Sequence, residues 1–400
     1  MKIFYNSSTK QWWHGQNGLT ITFGADQIEI PYQHPLFLQD VQSFDVKPFH
    51  RNEILTVGIL TTTNGKNKIG LGGNLPLFQS LHSYLLQHGI LCYVFTANDI
   101  LQEQPYGFIY CSELNTWKKI NIPLPHIVYN RIPSRPFEAS DSFQQLKTLF
   151  SNKHIKMFNP CFIDKYEMYT TFQQHERLKQ LLPKTIVVDN VNQLASFLRI
   201  YSTIYLKPRD GNRGKGIHTL TRKRDKSIQL VSPTEVETFP TLQAYWDVYK
   251  QQLQSKKYLA QQAIVPKRKN GHRYDYRLLV HYEQGRFKLS GKGVRMSQTQ
   301  EITTHVPTGG KIIPYDEVTT PALDQQLTEI AQTCGAVLSN QLGFIGEFSI
   351  DLGENEAGEL FIYEVNSKPM QFDETDIETT RLHQLKNLFI ELKYPNDDKK

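Results

Sequence analysis

The 400-residue sequence contains only four cysteines and no long apolar segment. The cysteines, Cys92, Cys111, Cys161 and Cys334, are scattered without a CxxC pair, which argues against a zinc ribbon and against a disulfide framework. No window supplies the ~18 apolar residues of a transmembrane helix, and residues 1–13 lack the apolar stretch of a secretory signal. We therefore expect a cytoplasmic protein that does not enter a membrane, with reduced and mostly buried thiols.

A large excess of one charge sign is also absent. Lys and Arg number 45 and Asp and Glu number 39, which gives a net charge of +6, and 39% of the residues are hydrophobic. This composition, with a mean hydropathy of −0.46, excludes a disordered chain. The basic clusters at 209–215 and 266–273 are not interleaved with aromatic residues at stacking spacing, so we expect no nucleic-acid partner.

The length predicts two or three domains, and the hydrophobic pattern divides the chain into three parts. Residues 1–50 include the alternating segments 19–23 and 28–30, which predict a β-rich N-terminal extension. Residues 51–155 have the strand–helix–strand pattern of an α/β domain, and residues 156–395 predict an α+β domain with antiparallel hairpins.

The 51–155 part is predicted to be a half-Rossmann domain with parallel strands. Buried strands are expected over 54–60, 91–95 and 127–129, and an amphipathic helix that Gly89 ends is expected after the first strand. The glycine-rich loop at 65–73 precedes this helix, where backbone amides can hold an anion. It lacks the GxGxxG spacing, so a mobile substrate loop or a plain connection is the favoured interpretation.

The later part combines strands with two well-defined amphipathic helices. Helices are expected over 190–201, where Asn190 and Gln193 resemble a capping box, and over 323–342. The expected strands cover residues 203–208, 217–221, 258–264, 276–281 and 347–351.

A glycine-rich basic segment follows the strand that ends near Lys207. A lysine at the end of a strand, followed by glycines and two further cations, predicts a flexible phosphate clamp, because glycine lets the backbone approach a phosphate. The alternative is an ordinary basic hairpin turn. The segment contains Gly211, Arg213, Gly214, Lys215 and Gly216.

Two carboxylates and a carboxamide lie on a second hairpin. Asp351 and Glu364 end two strand-like runs separated by a turn, and Asn366 points to the same face as Glu364. Oxygen donors without His or Cys favour Mg²⁺ or Mn²⁺. The alternative is a solvated acidic edge hairpin.

Two arginines lie on neighbouring predicted strands between the clamp and the acidic hairpin. Arg277 and Arg295 could neutralise the charge of a phosphoryl group during its transfer. The alternative is a surface salt-bridge ladder with Asp275.

The order of these motifs resembles the ATP-grasp superfamily, and within it the YheC/YheD group of endospore coat-associated proteins. The fold implied is an ATP-grasp fold, α/β and α+β, preceded by a half-Rossmann domain and the β-rich extension. The matching residues are Tyr129, Asn130, Arg131, Phe158, Asn159, Asp164, Lys165, Lys207, Pro208, Asp275, Arg277, Arg295, Gly309, Gly310, Asp351, Glu364, Asn366 and Pro369.

The resemblance implies a carboxylate–amine ligase that uses ATP and Mg²⁺ and forms an acylphosphate. Lys165 and Lys207 would contact phosphates and adenine, the 211–216 loop would close over the phosphates, and Arg277 and Arg295 would steady the γ-phosphate and the acylphosphate. The metal ligands implied are Asp351, Glu364 and Asn366, and the hinge residues that would contact adenine are Gln262, Ala263 and Ile264.

Two departures from the family pattern concern the hinge and the acceptor side. Glutamines stand at Gln261 and Gln262 where glutamate is common, and His305 stands where asparagine is common.

Arg131 and Arg135 could hold a substrate carboxylate or form interdomain salt bridges. The expected partners are a small carboxylate and an amine, spore coat proteins are a further option, and the resemblance allows a homodimer.

Two other functions remain open from the sequence alone. The chain could be a structural spore-coat protein that binds ATP without turnover, or it could transfer a phosphoryl group to a small molecule without ligation. Both would use the same nucleotide site.

Overall fold

The computed structural model describes residues 1–34, 40–211, 215–298, 304, 306 and 309–395. The chain begins with two small sheets, in which β1 lies between β2 and β5, and β3 lies between β4 and β6. These strands confirm the prediction of a β-rich start. They are β1 (Lys2–Asn6), β2 (Gln11–His14), β3 (Ile21–Phe23), β4 (Ile28–Ile30), β5 (Val41–Asp45) and β6 (Glu53–Ile54).

An α/β sheet follows, with strand order β10-β9-β8-β7-β11-β12. Strands β8, β7, β11 and β12 are parallel, as predicted. Strands β9 and β10 form an antiparallel hairpin at one edge, which the sequence analysis missed. The elements are β7 (Thr56–Thr61), α1 (Leu75–Gln87), β8 (Leu91–Thr96), α2 (Ala97–Ile100), β9 (Tyr106–Cys111), β10 (Thr116–Asn121), β11 (Ile127–Asn130), α3 (Arg135–Glu138), α4 (Asp141–Asn152) and β12 (Lys156–Phe158).

The single strand predicted over 54–60 is in fact two. Ile54 belongs to β6, which pairs with β3, and β7 starts at Thr56 inside the α/β sheet. Both pieces are buried, so their apolar residues form one continuous run in the sequence and conceal the change of sheet.

The next part is an antiparallel sheet with strand order β13-β18-β14-β15-β16-β17, and the side chains of α6 and α7 share its hydrophobic core. The predicted strands at 203–208, 217–221 and 258–264 are confirmed within three residues at each end. The elements are α5 (Lys165–Gln173), β13 (Thr185–Val187), α6 (Val191–Ile200), β14 (Thr203–Pro208), β15 (His218–Arg222), β16 (Ile228–Val231), β17 (Val236–Phe239), α7 (Leu242–Ser255) and β18 (Tyr258–Gln262).

The last part is a second antiparallel sheet with strand order β22-β21-β20-β23-β24, and β19 pairs with β20 beside it. Helix α8 packs on one face through Leu327, Ile330, Cys334 and Leu338, which confirms most of its predicted apolar face. The elements are β19 (Arg268–Lys269), β20 (His272–Glu283), β21 (Arg286–Ser297), β22 (Gly310–Ile313), α8 (Pro321–Leu342), β23 (Glu347–Glu354), β24 (Leu360–Asn366) and α9 (Thr375–Lys393).

A buried polar network joins the α/β part to the last sheet. Arg381 binds both carboxylate oxygens of Glu347, at 2.5 and 2.9 Å, and the Tyr129 hydroxyl donates to the same carboxylate. Asn159 is fully buried and uses both ends of its amide, donating to the Glu347 and Ser367 carbonyls and accepting from the Gly346 amide. The network fixes the two parts against each other.

Arg131 and Arg135 belong to this interface. Arg131 donates to the Pro369 carbonyl at 2.9 Å, and Arg135 donates to the Ile163 carbonyl at 2.9 Å. The structure therefore favours the interdomain role for both arginines over the binding of a substrate carboxylate.

The described helices include none that is both long enough and apolar enough to cross a membrane. The four cysteines are free thiols, of which Cys92 and Cys334 are buried and Cys111 and Cys161 are half-buried.

Candidate functional site

A cleft lies between the antiparallel sheet that contains β14 and β18 and the open face of the last sheet. That face lies opposite α8, because Tyr276 and Leu278 of β20 enter the core that α8 covers, whereas Arg273, Asp275 and Arg277 line the cleft. Eight predicted site residues line the cleft. They are Lys165, Lys207, Gln262, Ile264, Arg277, Arg295, Asp351 and Glu364.

The register of the strands brings the charged residues together. Arg277 on β20 lies directly opposite Asp351 on β23, and Asp351 lies opposite Glu364 on β24. On the other side of β20, Asp275 lies opposite Arg295. The predicted pairing of Asp351 with Glu364 is therefore confirmed, as is the placement of the two arginines on adjacent strands.

The two carboxylates fit a divalent cation by the chemistry of their donors. A bulge at Tyr363 precedes Glu364, and Asn366 lies two residues further along β24, opposite Ser349. The described residues hold no cluster of three or more His, Cys, Asp or Glu side chains suited to a metal. The candidate set therefore consists of two carboxylates and one carboxamide, and hard oxygen donors of this kind match Mg²⁺.

Asp351 lies deep in the cleft, with its side chain 29% exposed. Burial raises the pKa of its carboxyl, although the nearby cations of Arg277 and Arg295 oppose the shift. The Arg277 Nη1 to Asp351 Oδ1 distance of 3.8 Å is too long for a strong hydrogen bond. The Asp351 carboxylate is therefore available to bind a cation.

Two lysines approach the carboxylates, Lys207 from the opposite wall and Lys165 from α5, which packs against α8 and β24. Lys165, the first residue of α5, has its Nζ 3.1 Å from Glu364 Oε1 and donates to the Gly211 carbonyl at 2.5 Å. Lys207, on β14, donates to Gln261 Oε1 at 2.6 Å. Burial lowers the pKa of Lys207 to about 8, and Glu364 partly offsets this effect.

The two arginines are buried at the base of the cleft, with exposed fractions of 6% for Arg277 and 7% for Arg295. Arg277 stacks its guanidinium over the Phe372 ring at 5.0 Å, and its Nε has no hydrogen-bond partner among the described residues. Arg295 lies 3.5 Å from Asp373, and burial together with Arg277 lowers its pKa. The unsatisfied Nε of Arg277, next to a second buried guanidinium, is suited to an anion.

The glycine-rich segment is described only in part. Gly211 supplies the carbonyl that Lys165 contacts, and Gly216 has a φ of +75° and accepts a hydrogen bond from the Tyr258 hydroxyl. Lys215 is exposed. Arg213 and Gly214 lie outside the described residues, as does His305, so their predicted roles stay predictions.

The predicted hinge lies at the end of β18. The backbone amides of Gln262 and Ala263 already donate to the carbonyls of Lys184 and Thr203. Adenine recognition in this hinge would therefore rely on carbonyl groups or on the Ile264 amide. Gln261 faces Lys207 and also donates to the Thr185 hydroxyl at 3.1 Å, so its amide serves the lysine.

The sequence analysis missed Tyr205 and Arg273 as cleft residues. Arg273 donates to the Tyr205 hydroxyl at 2.8 Å, and Asp275 accepts from Thr304 at 2.9 Å. Arg273 lies two residues before Asp275 on β20 and therefore on the same face. Extending the predicted strand 276–281 by four residues towards the N-terminus would have revealed it.

The surroundings of Asp275 also bear on the salt-bridge alternative for the arginines. Asp275 lies within 3.3 Å of Arg273, and the ion-pair contacts of Arg277 and Arg295 are with Asp351 and Asp373. The arginines line a cleft, so they are not part of an exposed ladder.

The fold and the cleft define an ATP-grasp protein. A family model described as YheC/D-like ATP-grasp matches residues 154–393, and the chain belongs to that family. The chain is similar to the Endospore coat-associated protein YheD of Bacillus subtilis (strain 168), with 28% identity over 73% of this chain and 67% of that protein. It is also similar to YheC of the same strain, with 25% identity over 71% of this chain and 82% of that protein.

Solved structures support the fold. D-alanyl-alanine synthetase A from Vibrio cholerae aligns with a TM-score of 0.50 at 11% identity, over 86% of this chain and 98% of that chain. The D-alanine-D-alanine ligase from Coxiella burnetii aligns with a TM-score of 0.52 at 10% identity, over 85% and 93%. These matches confirm the predicted ATP-grasp fold.

Proposed function

We propose that the protein is an ATP- and Mg²⁺-dependent carboxylate–amine ligase that forms an acylphosphate from an amino-acid or peptide-like substrate. The observation that carries this proposal is the convergence of two buried arginines, of which Arg277 keeps an unpaired Nε among the described residues, with Asp351 and Glu364 on one face of the cleft. This arrangement suits a phosphoryl group together with a divalent cation.

In this proposal the chain acts mainly by position and charge. Asp351, Glu364 and Asn366 hold Mg²⁺, which would neutralise phosphate charge when bound. Lys165 and Lys207 bind the phosphates of ATP. Arg277 and Arg295 hold the transferring phosphoryl group close to the substrate carboxylate, so the reaction needs no protein nucleophile.

The names of the relatives suggest where the protein acts. Both curated relatives are called endospore coat-associated. We therefore propose that this protein acts at or near the spore coat, with a small carboxylate and an amine as substrates and with coat proteins as partners. A coat protein that binds ATP without turnover remains the second candidate, because the relatives' names describe a location and no chemistry.

The test is to trap the acylphosphate. Purified protein is incubated with Mg-ATP, hydroxylamine and a panel of amino acids and dicarboxylates, and both ADP and hydroxamate are measured. We expect ADP and hydroxamate to appear together with at least one carboxylate. ADP with a stable phosphoester and no hydroxamate would indicate phosphotransfer, and absence of ADP with every compound would leave the structural role.

Arg295→Met, compared with Arg286→Met, tests the site itself. Arg286 lies on the same strand but is exposed and outside the cleft. Loss of a preorganised cation should lower hydroxamate formation by about 100-fold or more in Arg295→Met. The Arg286→Met protein should keep the wild-type rate.

A further inference from the structure

Glu374 has an unusual position next to the two cleft arginines. It is the residue just before α9, but its side chain makes no capping hydrogen bond. Both of its carboxylate oxygens are buried and have no hydrogen-bond partner among the described residues. A buried carboxylate without a partner is costly, so its position favours a ligand that completes it.

The backbone of β21 makes room for this carboxylate. A Cβ atom added to Gly293 would lie 2.6 Å from Glu374 Oε1, so the carboxylate rests directly on the strand at this glycine. Gly293 lies opposite Arg277 and two residues before Arg295, on the face that lines the cleft. Glu374 is therefore adjacent to the site where the proposed phosphoryl transfer occurs.

A second cavity reaches Glu374 from the other side. This open cavity of about 510 Å³ is lined by Glu374 together with Gly291, Tyr315 and Ile377. The ATP cleft is lined by Arg295, whose charge acts on Glu374. Glu374 thus lines a separate space large enough for a small acceptor molecule and lies beside the cleft arginines.

We propose that Glu374 accepts the proton of the amine substrate as that amine attacks the acylphosphate, and that the amine enters through the second cavity. This inference rests on the proposed ligase function. In the step, the amine nitrogen forms a bond to the acyl carbon, and the bond from that carbon to the phosphate oxygen breaks. The phosphate leaves with the electron pair. An ammonium loses two protons on becoming an amide, of which one goes to Glu374 and the other to the departing phosphate.

The electrostatic environment is consistent with a proton acceptor. Burial raises the pKa of the Glu374 carboxyl, and Asp373 adds to the shift, whereas the residue's own backbone amide, Arg295 and Arg277 oppose it. A carboxylate with a raised pKa is a stronger base than an exposed one.

The test compares two nucleophiles of similar size. Hydroxylamine is neutral at neutral pH and needs no base before it attacks, whereas ammonium must first lose a proton. Wild type and variants receive Mg-ATP and the carboxylate that gave the strongest hydroxamate signal. In Glu374→Gln we expect hydroxamate formation at the wild-type rate and carboxamide formation from ammonium lowered by about 100-fold or more.

Gly293→Ala provides a second variant that leaves the carboxylate in place. The added methyl group collides with the end of a flexible side chain, so the protein should fold while Glu374 is displaced. We expect the carboxamide rate to fall by about tenfold or more with hydroxamate retained. Glu391→Gln, at the far end of α9, is the charge control and should match the wild type in both reactions.

The outcomes separate the two proposals. If the wild type forms no hydroxamate with any carboxylate, the proposed function fails, and this inference fails with it. If the wild type forms hydroxamate but never uses ammonium, or if Glu374→Gln uses both nucleophiles at the wild-type rates, the inference fails and the proposed function stands.

Discussion

Two cations of the cleft, Arg277 and Lys207, have no carboxylate within 3.5 Å among the described residues. Arg277 is 3.8 Å from Asp351, and its Nε is unpaired among the described residues. Lys207 is held mainly by the neutral amide of Gln261. Cations in this state lose less on accepting a phosphate than cations already in tight ion pairs, because fewer existing bonds must break.

Lys207 should take up a proton when ATP binds near pH 8. Burial lowers its pKa to about 8, so about half of the free protein carries a neutral lysine there, and a nearby polyphosphate favours the ammonium form. The uptake is measured by calorimetry of Mg-ATP binding in buffers with different ionisation enthalpies. Because this folded pKa lies below the unfolded value of about 10.4, Lys207 also makes stability rise with pH between those values.

Lys207→Arg is the matched control for that measurement. Arginine stays charged at every accessible pH, so ATP should still bind while the proton uptake near pH 8 disappears. Equal uptake in the two proteins would contradict the assignment to Lys207.

At the residue scale, spacing along the sequence predicts the candidate metal ligands but not every residue that lies near them in the structure. Asp351 and Glu364 are thirteen positions apart with a turn between them, and this spacing predicts their pairing. Glu374 has no such signal, because its contact with Gly293 joins residues 81 positions apart. Only the tertiary fold brings them together.

Helix α5, which begins at Lys165, is stabilised by its N-cap residue Asp164. Asp164 accepts hydrogen bonds from the amides of Tyr166 and Glu167, each at 2.9 Å, and binds Arg209 through both carboxylate oxygens. Although burial raises the pKa of Asp164, the bonds from Arg209 and from the helix amides hold it below its usual range.

Asp164→Ala should lower the thermal unfolding midpoint by about 1–2 °C, because loss of a cap costs about 1 kcal/mol and the entropy of unfolding grows with chain length. Asp164→Asn keeps an oxygen for the cap and loses only the charge, so it should lower the midpoint by less than half as much. Differential scanning calorimetry compares the three proteins. An equal loss in the two variants would show that the ion pair with Arg209, not the cap, stabilises α5.

At the element scale, strong periodicity was a reliable guide. Helix α8 and the strands around Lys207 were predicted from apolar spacing, and Asn190 caps α6 as expected. The proposed reciprocal bond of the capping box is wrong, because the Gln193 side chain accepts from the Asp189 amide and not from Asn190. A side chain four atoms long can reach either amide, and the sequence does not distinguish them.

At the scale of the whole molecule, the cleft depends on the contact between domains. Arg131 and Arg381 both donate to the Pro369 carbonyl, at 2.9 and 3.1 Å. Pro369 follows β24, the strand that carries the candidate metal ligands Glu364 and Asn366, and precedes the loop that contains Phe372 and Glu374. The buried network around Glu347 thus also fixes the loop that contacts the cleft arginines.

The overall architecture could be inferred from motif order, but this interface could not. The same residues, Arg131 and Arg135, permitted either substrate binding or interdomain contact, because an arginine offers the same donors to a ligand carboxylate and to a protein carbonyl. The sequence does not reveal which acceptor lies within reach.

The central claim, a Mg²⁺-dependent ATP site at Asp351, Glu364 and Asn366, is tested most directly by calorimetry of Mg-ATP binding. The wild type is compared with the double variant Glu364→Gln and Asn366→Ala, and with Glu359→Gln as a control on the turn before β24. We predict binding by the wild type and the control, and affinity weakened by about 30-fold or more in the double variant, with its fold retained. Absence of binding by the wild type at ATP concentrations well above those in cells, or equal binding by the folded double variant, would contradict the account.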